Sequence, residues 1–380
     1  MEKVIVIGTG KEAEAFLYNF KGIYDVVFFA DDAPRRNCFR GKSVVTLDSI
    51  IFRLDGTYKV VIATSIEEYV NISRRLQHNK LREFEDYIYY KAIGKKVAMF
   101  YGNCHCVDVK FYMSKIPEFV NKYWIYPNLA ICEGDTWWVS DDVYSNIDLL
   151  IYQNVRQESN GLLYSTDYII SMLKKDAIVI RMPNLFLKGY GWFPQSHVIK
   201  IALLRAAELD FIVNSHNQDA IIRKLYKEGK SEEEICDIIL NGEIWNKEEI
   251  QQKFMASMDL IKEEDEECNI KIYNYIVDNY RNKLVFIDAG HVSNDIYKEY
   301  IMQILNIIGI KYEKINDVLE LRDHYQTIPI YGCVARTLGF SYYTKNQIIK
   351  RDTYCLTDEP LSVLEYVKQY VYMCVDNRTI

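Results

Sequence analysis

Apolar residues recur along the chain in short unbroken runs, each closed by Gly, Asp or Asn and followed by a stretch with helical spacing. Val4 to Ile7 runs into Gly8-Thr-Gly10 and then KEAEAFLYNF; DVVFFADD closes on Asp31 and Asp32. GKSVVTLDSII and YKVVIATSIEEYVNISRRL repeat the same order of strand, then helix. Continuous apolar strands, unlike alternating ones, belong to parallel sheets covered on both faces. The pattern predicts a small doubly wound, Rossmann-like domain over residues 1–95, ending at the basic stretch Lys91 to Lys96.

A second α/β pattern starts at residue 96. Val97 to Tyr101 is an apolar strand that meets Gly102-Asn103-Cys104-His105-Cys106, and CVDVKFYMSKIPEF continues as a helix with Val107, Phe111, Tyr112 and Ile116 on or near one face. Later strands are expected at Leu149 to Tyr152, ending in Gln153-Asn154, at Ala177 to Arg181, and at Leu284 to Ile287. The last enters the turn Asp288-Ala-Gly-His291 and the amphipathic helix NDIYKEYIMQILNIIGI, with Asn294 or Asp295 near its N-cap. Residues about 217–280 read as an acidic helical insertion, solvated or used as an oligomer surface, in which Ser231 and Glu234 spell a capping box. The fold class is therefore α/β in two domains, 1–95 and 96–380.

At 380 residues, two domains are also what length alone predicts. Net charge of −7 without a basic stripe argues against nucleic acid. No run approaches ~18 uncharged apolar residues, so no membrane span is expected. MEKVIVIG lacks the n-region of a signal peptide. Nine scattered cysteines, an odd number, suit reduced thiols and a cytoplasmic location.

Cys104 stands where a strand passes into a helix, the usual position of a site in an open α/β fold. A helix N-terminus there favours the thiolate. A zinc site would need a second ligand pair at the right spacing, and a redox dithiol a two-residue spacer; neither is present, so no metal is expected. A nucleophile and plain packing remain, with packing the better reading for Cys106. A nucleophile needs a base and an oxyanion cradle. Among the six histidines, His291 has the most site-like setting, with Asp288 placed to orient its ring. Gly102, Asn103, His105, Gln153 and Asn154 are candidates for the oxyanion or substrate. Lys188 and Tyr190, in a loop rich in aromatics and glycine, are candidates for substrate contact, as is Asn294.

In the first domain, Gly8, Gly10, Lys11 and Asp31 could cradle a nucleotide or nucleotide-sugar, phosphates on the helix N-terminus. Position 13 is Ala where the full dinucleotide fingerprint has its third glycine, so a degenerate fold kept for docking stays open. Gly8 to Lys11, Phe29 to Pro34 and Val60 to Thr64 together resemble the small Rossmann-like domains at the front of bacterial surface-polysaccharide enzymes.

Strand-Gly-Asn-Cys-helix, the later IYQNV and PNLFLKGY, and His291 to Asn294 before a helix resemble the WcbI family of bacterial capsular-polysaccharide biosynthesis proteins, over residues 96–335. His105 stands where that family usually has Gln, and Val292 where it has Pro. The layout also looks like an SGNH hydrolase, with Cys104 at the nucleophile turn and Asp288-x-x-His291 as the terminal block. The resemblance implies acetyl-coenzyme A as donor, a sugar hydroxyl of a glycan precursor as acceptor, and Cys104, His291 and Asp288 as the catalytic groups. An esterase or deacetylase on the same residues, or a non-catalytic glycan- or nucleotide-binding protein, are the alternatives. A homo-oligomer is compatible with either.

Overall fold

Val4, Val6 and their neighbours to Ile7 are buried on both faces because the strand they form is central in a parallel sheet. The computed structural model of the chain describes residues 1–51, 54, 57–128, 131, 139–185, 220–287, 290–321, 328–350 and 359–371. The first sheet has the order β3-β4-β2-β1-β5-β6. Its strands are β1 (Glu2–Ile7), β2 (Tyr24–Asp31), β3 (Cys38–Phe39), β4 (Lys42–Thr46), β5 (Lys59–Ile62) and β6 (Tyr87–Tyr89). All neighbours are parallel except β3 and β4. Helices α1 (Lys11–Asn19), α2 (Leu47–Ile50) and α3 (Ile66–His78) supply the connections. Ser65 and Glu68 close a full capping box on α3.

The second sheet, β10-β9-β7-β8, consists of β7 (Lys96–Tyr101), β8 (Tyr123–Ile125), β9 (Leu149–Tyr152) and β10 (Ile178–Arg181). β7 runs parallel to both β8 and β9. Between these strands lie α4 (Cys104–Met113), α5 (Pro117–Lys122), α6 (Asp141–Tyr144), α7 (Gln157–Asn160) and α8 (Thr166–Met172). One apolar core serves both sheets: Val6, Ile62, Tyr69 and Tyr87 belong to the same cluster as Met99, Trp124, Tyr126 and Leu150. Position 95/96 thus lies between two sheets that share a core. The chain divides into compact units at another place, Met1–Ile180 and Arg181–Ile380.

The second unit is helical where it is described: α9 (Ala220–Lys227), α10 (Glu232–Asn241), α11 (Lys247–Glu267), α12 (Tyr273–Asn279), α13 (Asn294–Ile307), α14 (Ile315–Leu319), α15 (Gly332–Leu338) and α16 (Val363–Val371). The acidic segment forms α9 to α12, and the Ser231–Glu234 capping box is present. The apolar face of α10 is packed within the unit, while Met255 and Leu260 of α11 and Val277 of α12 are exposed. Ile235 and Ile239 of α10 are buried, and α10 packs on α15 and α16 inside the unit. The expected strand Leu284 to Ile287 is absent as a strand. Ile287 N–H bonds to the His291 carbonyl and Ser293 N–H to that of Val285, both at 3.0 Å, so the segment folds back on itself through a single bridge between Phe286 and Val292. The N-cap of α13 is Ser293, so Asn294 and Asp295 are its first two helical residues, next to the cap as expected. Among the described residues no helix is long and apolar enough to cross a membrane.

Candidate active site around Cys104

The buried strand β7 ends against a turn that only glycine fits. Gly102 has φ of +155°, and a Cβ there would lie 2.9 Å from Gln153 Cβ and 3.1 Å from its backbone nitrogen and Oε1. The chain can therefore pass close beside the end of β9, where Gln153 N–H bonds to the Tyr101 carbonyl at 2.9 Å. Asn103 is the N-cap of α4, extended, with no side-chain cap hydrogen bond. Cys104 is the first helical residue and is half-buried. The first amides of a helix have no acceptor within it, and its N-terminus carries partial positive charge. A half-buried thiol thus sits at an electropositive helix start beside the carboxyl ends of parallel strands.

Of the residues expected on one face of α4 and just beyond it, Tyr112 and Ile116 are fully buried and Val107 and Phe111 are not. His105, Cys106, Asp108, Val109, Tyr112 and Met113 are buried, while Val107 and Phe111 are only partly covered. The tight turn at Gly102 starts the helix at Cys104, and that start, not the apolar count, sets which face turns inward. Cys106 is 1 % exposed with its Sγ 3.6 Å from the Ile151 carbonyl, a packed thiol as expected. Val107 and Phe111 line a cavity of about 310 Å³ whose walls also include Phe100, Cys106, Lys110 and Asn128. Asn128 was not singled out from the sequence. Its Nδ2 donates to the Phe100 carbonyl at 2.6 Å, and its own carbonyl accepts from Lys110 Nζ at 2.8 Å. A lone Asn after an aromatic strand looks like any turn residue, so nothing local marks it.

Gln153 and His105 are both fully buried. Gln153 Oε1 accepts the Asn103 N–H at 3.0 Å, and its Nε2 lies 3.4 Å from His105 Nδ1. Both side chains face the turn from inside. Asn154, half-buried, accepts at Oδ1 from Thr166 Oγ1 at 2.9 Å, which orients its amide nitrogen as the donating end. His291 is half-buried in the second unit, where Asn294 Nδ2 donates to the Leu319 carbonyl at 3.2 Å. Asp288, Lys188 and Tyr190 lie outside the described residues. Among the described residues no group of His, Cys, Asp and Glu could hold a metal ion.

In the first sheet, Gly8 has φ of +115°, and a Cβ there would collide with the Ala63 carbonyl oxygen. β1 and β5 are thus held close at the point where the connections diverge to either side of the sheet. Asp31 accepts from Thr9 Oγ1 at 2.6 Å and from the Ala33 N–H at 3.1 Å. Gly10 caps α1, which starts at Lys11 and carries Glu12 and Glu14 in its first turn. Glu12 is bound by Lys91 at 3.2 Å and by the Tyr90 hydroxyl. Two carboxylates therefore occupy the turn of α1 where a phosphate would gain most from the helix end.

The profile of the family described as polysaccharide biosynthesis enzyme WcbI matches residues 97–313. A solved structure of WcbI, described as a novel polysaccharide biosynthesis enzyme and as native protein without a disulfide bond between coenzyme A and a cysteine, has a similar fold. The TM-score is 0.53 at 14% identity, covering 73% of this chain and 89% of that one. A pseudomurein peptide ligase type C from Methanothermus fervidus overlaps at TM-score 0.21 and 15% identity, over 47% of this chain and 44% of that one. No curated protein matches the sequence. The family match spans the turn at Cys104, strands β7 to β10 and the whole of the helix after His291, which is more than half of the chain: this protein belongs to the WcbI family of polysaccharide biosynthesis enzymes.

Proposed function

We propose that the chain transfers an acetyl group from acetyl-coenzyme A to a sugar hydroxyl of a cytoplasmic precursor of a capsular or other surface polysaccharide. The observation that carries this reading is Cys104: a half-buried thiol opening a helix whose N-cap side chain leaves the first amides uncapped, at the carboxyl end of β7. Family membership supports the pathway, and the coenzyme A named with the WcbI structure supports the donor.

In this reading the Cys104 thiolate attacks the thioester carbonyl, a new C–S bond forms, and coenzyme A leaves as thiolate. The sugar hydroxyl then attacks the acyl-Cys104, giving the ester and regenerating the thiolate, while the hydroxyl proton goes to His291. Asp288 orients His291. General-base assistance of this kind contributes ~10²–10⁴-fold. The Cys104 N–H and the side chains of Asn103 and Asn154 supply donors to the tetrahedral oxyanion, each of which contributes about 10²–10³-fold. The Asn103 N–H is committed to Gln153 and has no part in that cradle.

The test is incubation of the full chain with acetyl-coenzyme A and a panel of nucleotide sugars, following free thiol release beside a Cys104→Ala control. Acceptor-dependent release that vanishes in the control is expected. Release no greater than the control, or equally fast without any acceptor, would overturn the transferase.

A further inference from the structure

We infer that Gln153 is a positioning residue of the Cys104 turn and that it holds His105 as the neutral tautomer carrying its proton on Nε2. The inference follows from which atoms can only donate. The Asn103 backbone N–H is a donor and nothing else, so the Gln153 atom 3.0 Å from it is the amide oxygen. The amide nitrogen is then the atom facing His105 Nδ1 at 3.4 Å. An amide NH₂ has no acceptor to offer, so Nδ1 must accept and cannot carry a proton. An imidazolium would set two donors against each other in a site where Gln153 is 0 % and His105 1 % exposed, and burial adds its own penalty to the charged ring.

One side chain thereby does two things. It ties the peptide before Cys104 to the end of β9, and it keeps positive charge off the residue after Cys104. The close approach at Gly102 is part of the same device, because a Cβ there would press on Gln153 itself. Asp108 follows His105 by three residues on the buried face of α4, and Cys104 and Cys106 are the histidine's neighbours in the chain. Gln153 reaches it from β9. The consequence for catalysis rests on the reading proposed above, since it sets the charge beside the proposed nucleophile; the geometry and its test do not depend on turnover.

Two measurements on the full-length protein test it. Nitrogen-15 imidazole spectra at neutral pH should show His105, assigned with a His105→Gln variant, as the Nε2-protonated neutral ring. A ring protonated on Nδ1, or on both nitrogens, overturns the inference. The near-isosteric Gln153→Glu keeps an acceptor for Asn103 and gives Nδ1 a carboxylate, so His105 becomes a cation beside Cys104. The nitrogen-15 spectrum of this variant at pH 7 should then show both ring nitrogens of His105 protonated. A folded Gln153→Glu protein whose His105 stays neutral also overturns it. Absence of acetyl transfer would sink the proposed function and leave both readouts standing.

Discussion

The Tyr126 hydroxyl donates to Glu83 Oε2 at 3.3 Å, so a residue just past β8 of the second sheet completes the shell of a carboxyl seated against the first. Tyr126 is in turn held to β7 by its N–H, 2.8 Å from the Ala98 carbonyl. Glu83 is fully buried and takes further bonds from Ser73 and Tyr87 at 3.2 Å, from Gln77 at 3.3 Å and from the Tyr69 hydroxyl. These partners are all neutral. Rings of Tyr69, Tyr89 and Phe84 meet Trp124 around them, closing the junction to water.

Burial therefore governs the protonation of Glu83. It raises the pKa from 4.5 to about 7, against four hydroxyl hydrogen bonds that pull it down. The folded chain binds this proton more tightly than the unfolded one. The stabilisation is full below about pH 4.5 and lost as pH rises through about 7, a change on the order of 3 kcal/mol. Urea midpoints of the parent and of Glu83→Gln, compared at pH 5 and pH 8, should show the parent losing stability relative to the amide. Parallel pH dependences in the two proteins would refute the assignment.

Gly102→Ala forces a methyl to within 2.9 Å of Gln153 Cβ at a backbone angle that suits glycine. Overpacking of that kind costs about 1–3 kcal/mol. The variant should unfold at lower urea, and its Cys104 should also label at an altered rate because the turn shifts. A Gly102→Ala protein as stable as the parent would mean that β9 yields to the methyl and does not constrain the turn.

Two thiols two residues apart should behave oppositely. Cys104→Ala, at a half-buried position, should change stability by no more than about 0.5 kcal/mol. Cys106→Ala removes a sulfur packed under Ile151 and should cost roughly 1 kcal/mol. In the native protein, iodoacetamide should modify Cys104 and spare Cys106 until urea unfolds the chain. Equal labelling of both would place α4 in a different phase.

The chain's own periodicity carried much of the architecture. Leu149 to Tyr152 matches its expected bounds, the strand before Gly102 begins one residue early, and the helix after His291 starts at Asn294 as expected but ends at Ile307, three residues before the expected Ile310; runs of apolar residues and glycine stops are local signals. Where packing overrode the pattern, the reading slipped. Leu284 to Ile287 has a strand's composition, yet Ile287 and Val285 bond to the segment that returns at His291 and Ser293. The inward face of α4 follows the turn that launches the helix, and the helices of the acidic segment find partners in α15 and α16, elements far later in the chain.

Residue order by itself determined that a thiol would stand at a strand-to-helix turn and that the chain would belong among polysaccharide biosynthesis enzymes. Tertiary structure alone decided that Gln153 would spend its amide on the Asn103 peptide and on His105, and that Glu83 would be walled in by tyrosines from both sheets. The reason is one of range. Periodicity records what a backbone does over a turn or a strand, whereas these partners lie some fifty residues apart or belong to different sheets. Only the order of the strands, fixed by burial of the whole core, brings them within hydrogen-bonding distance.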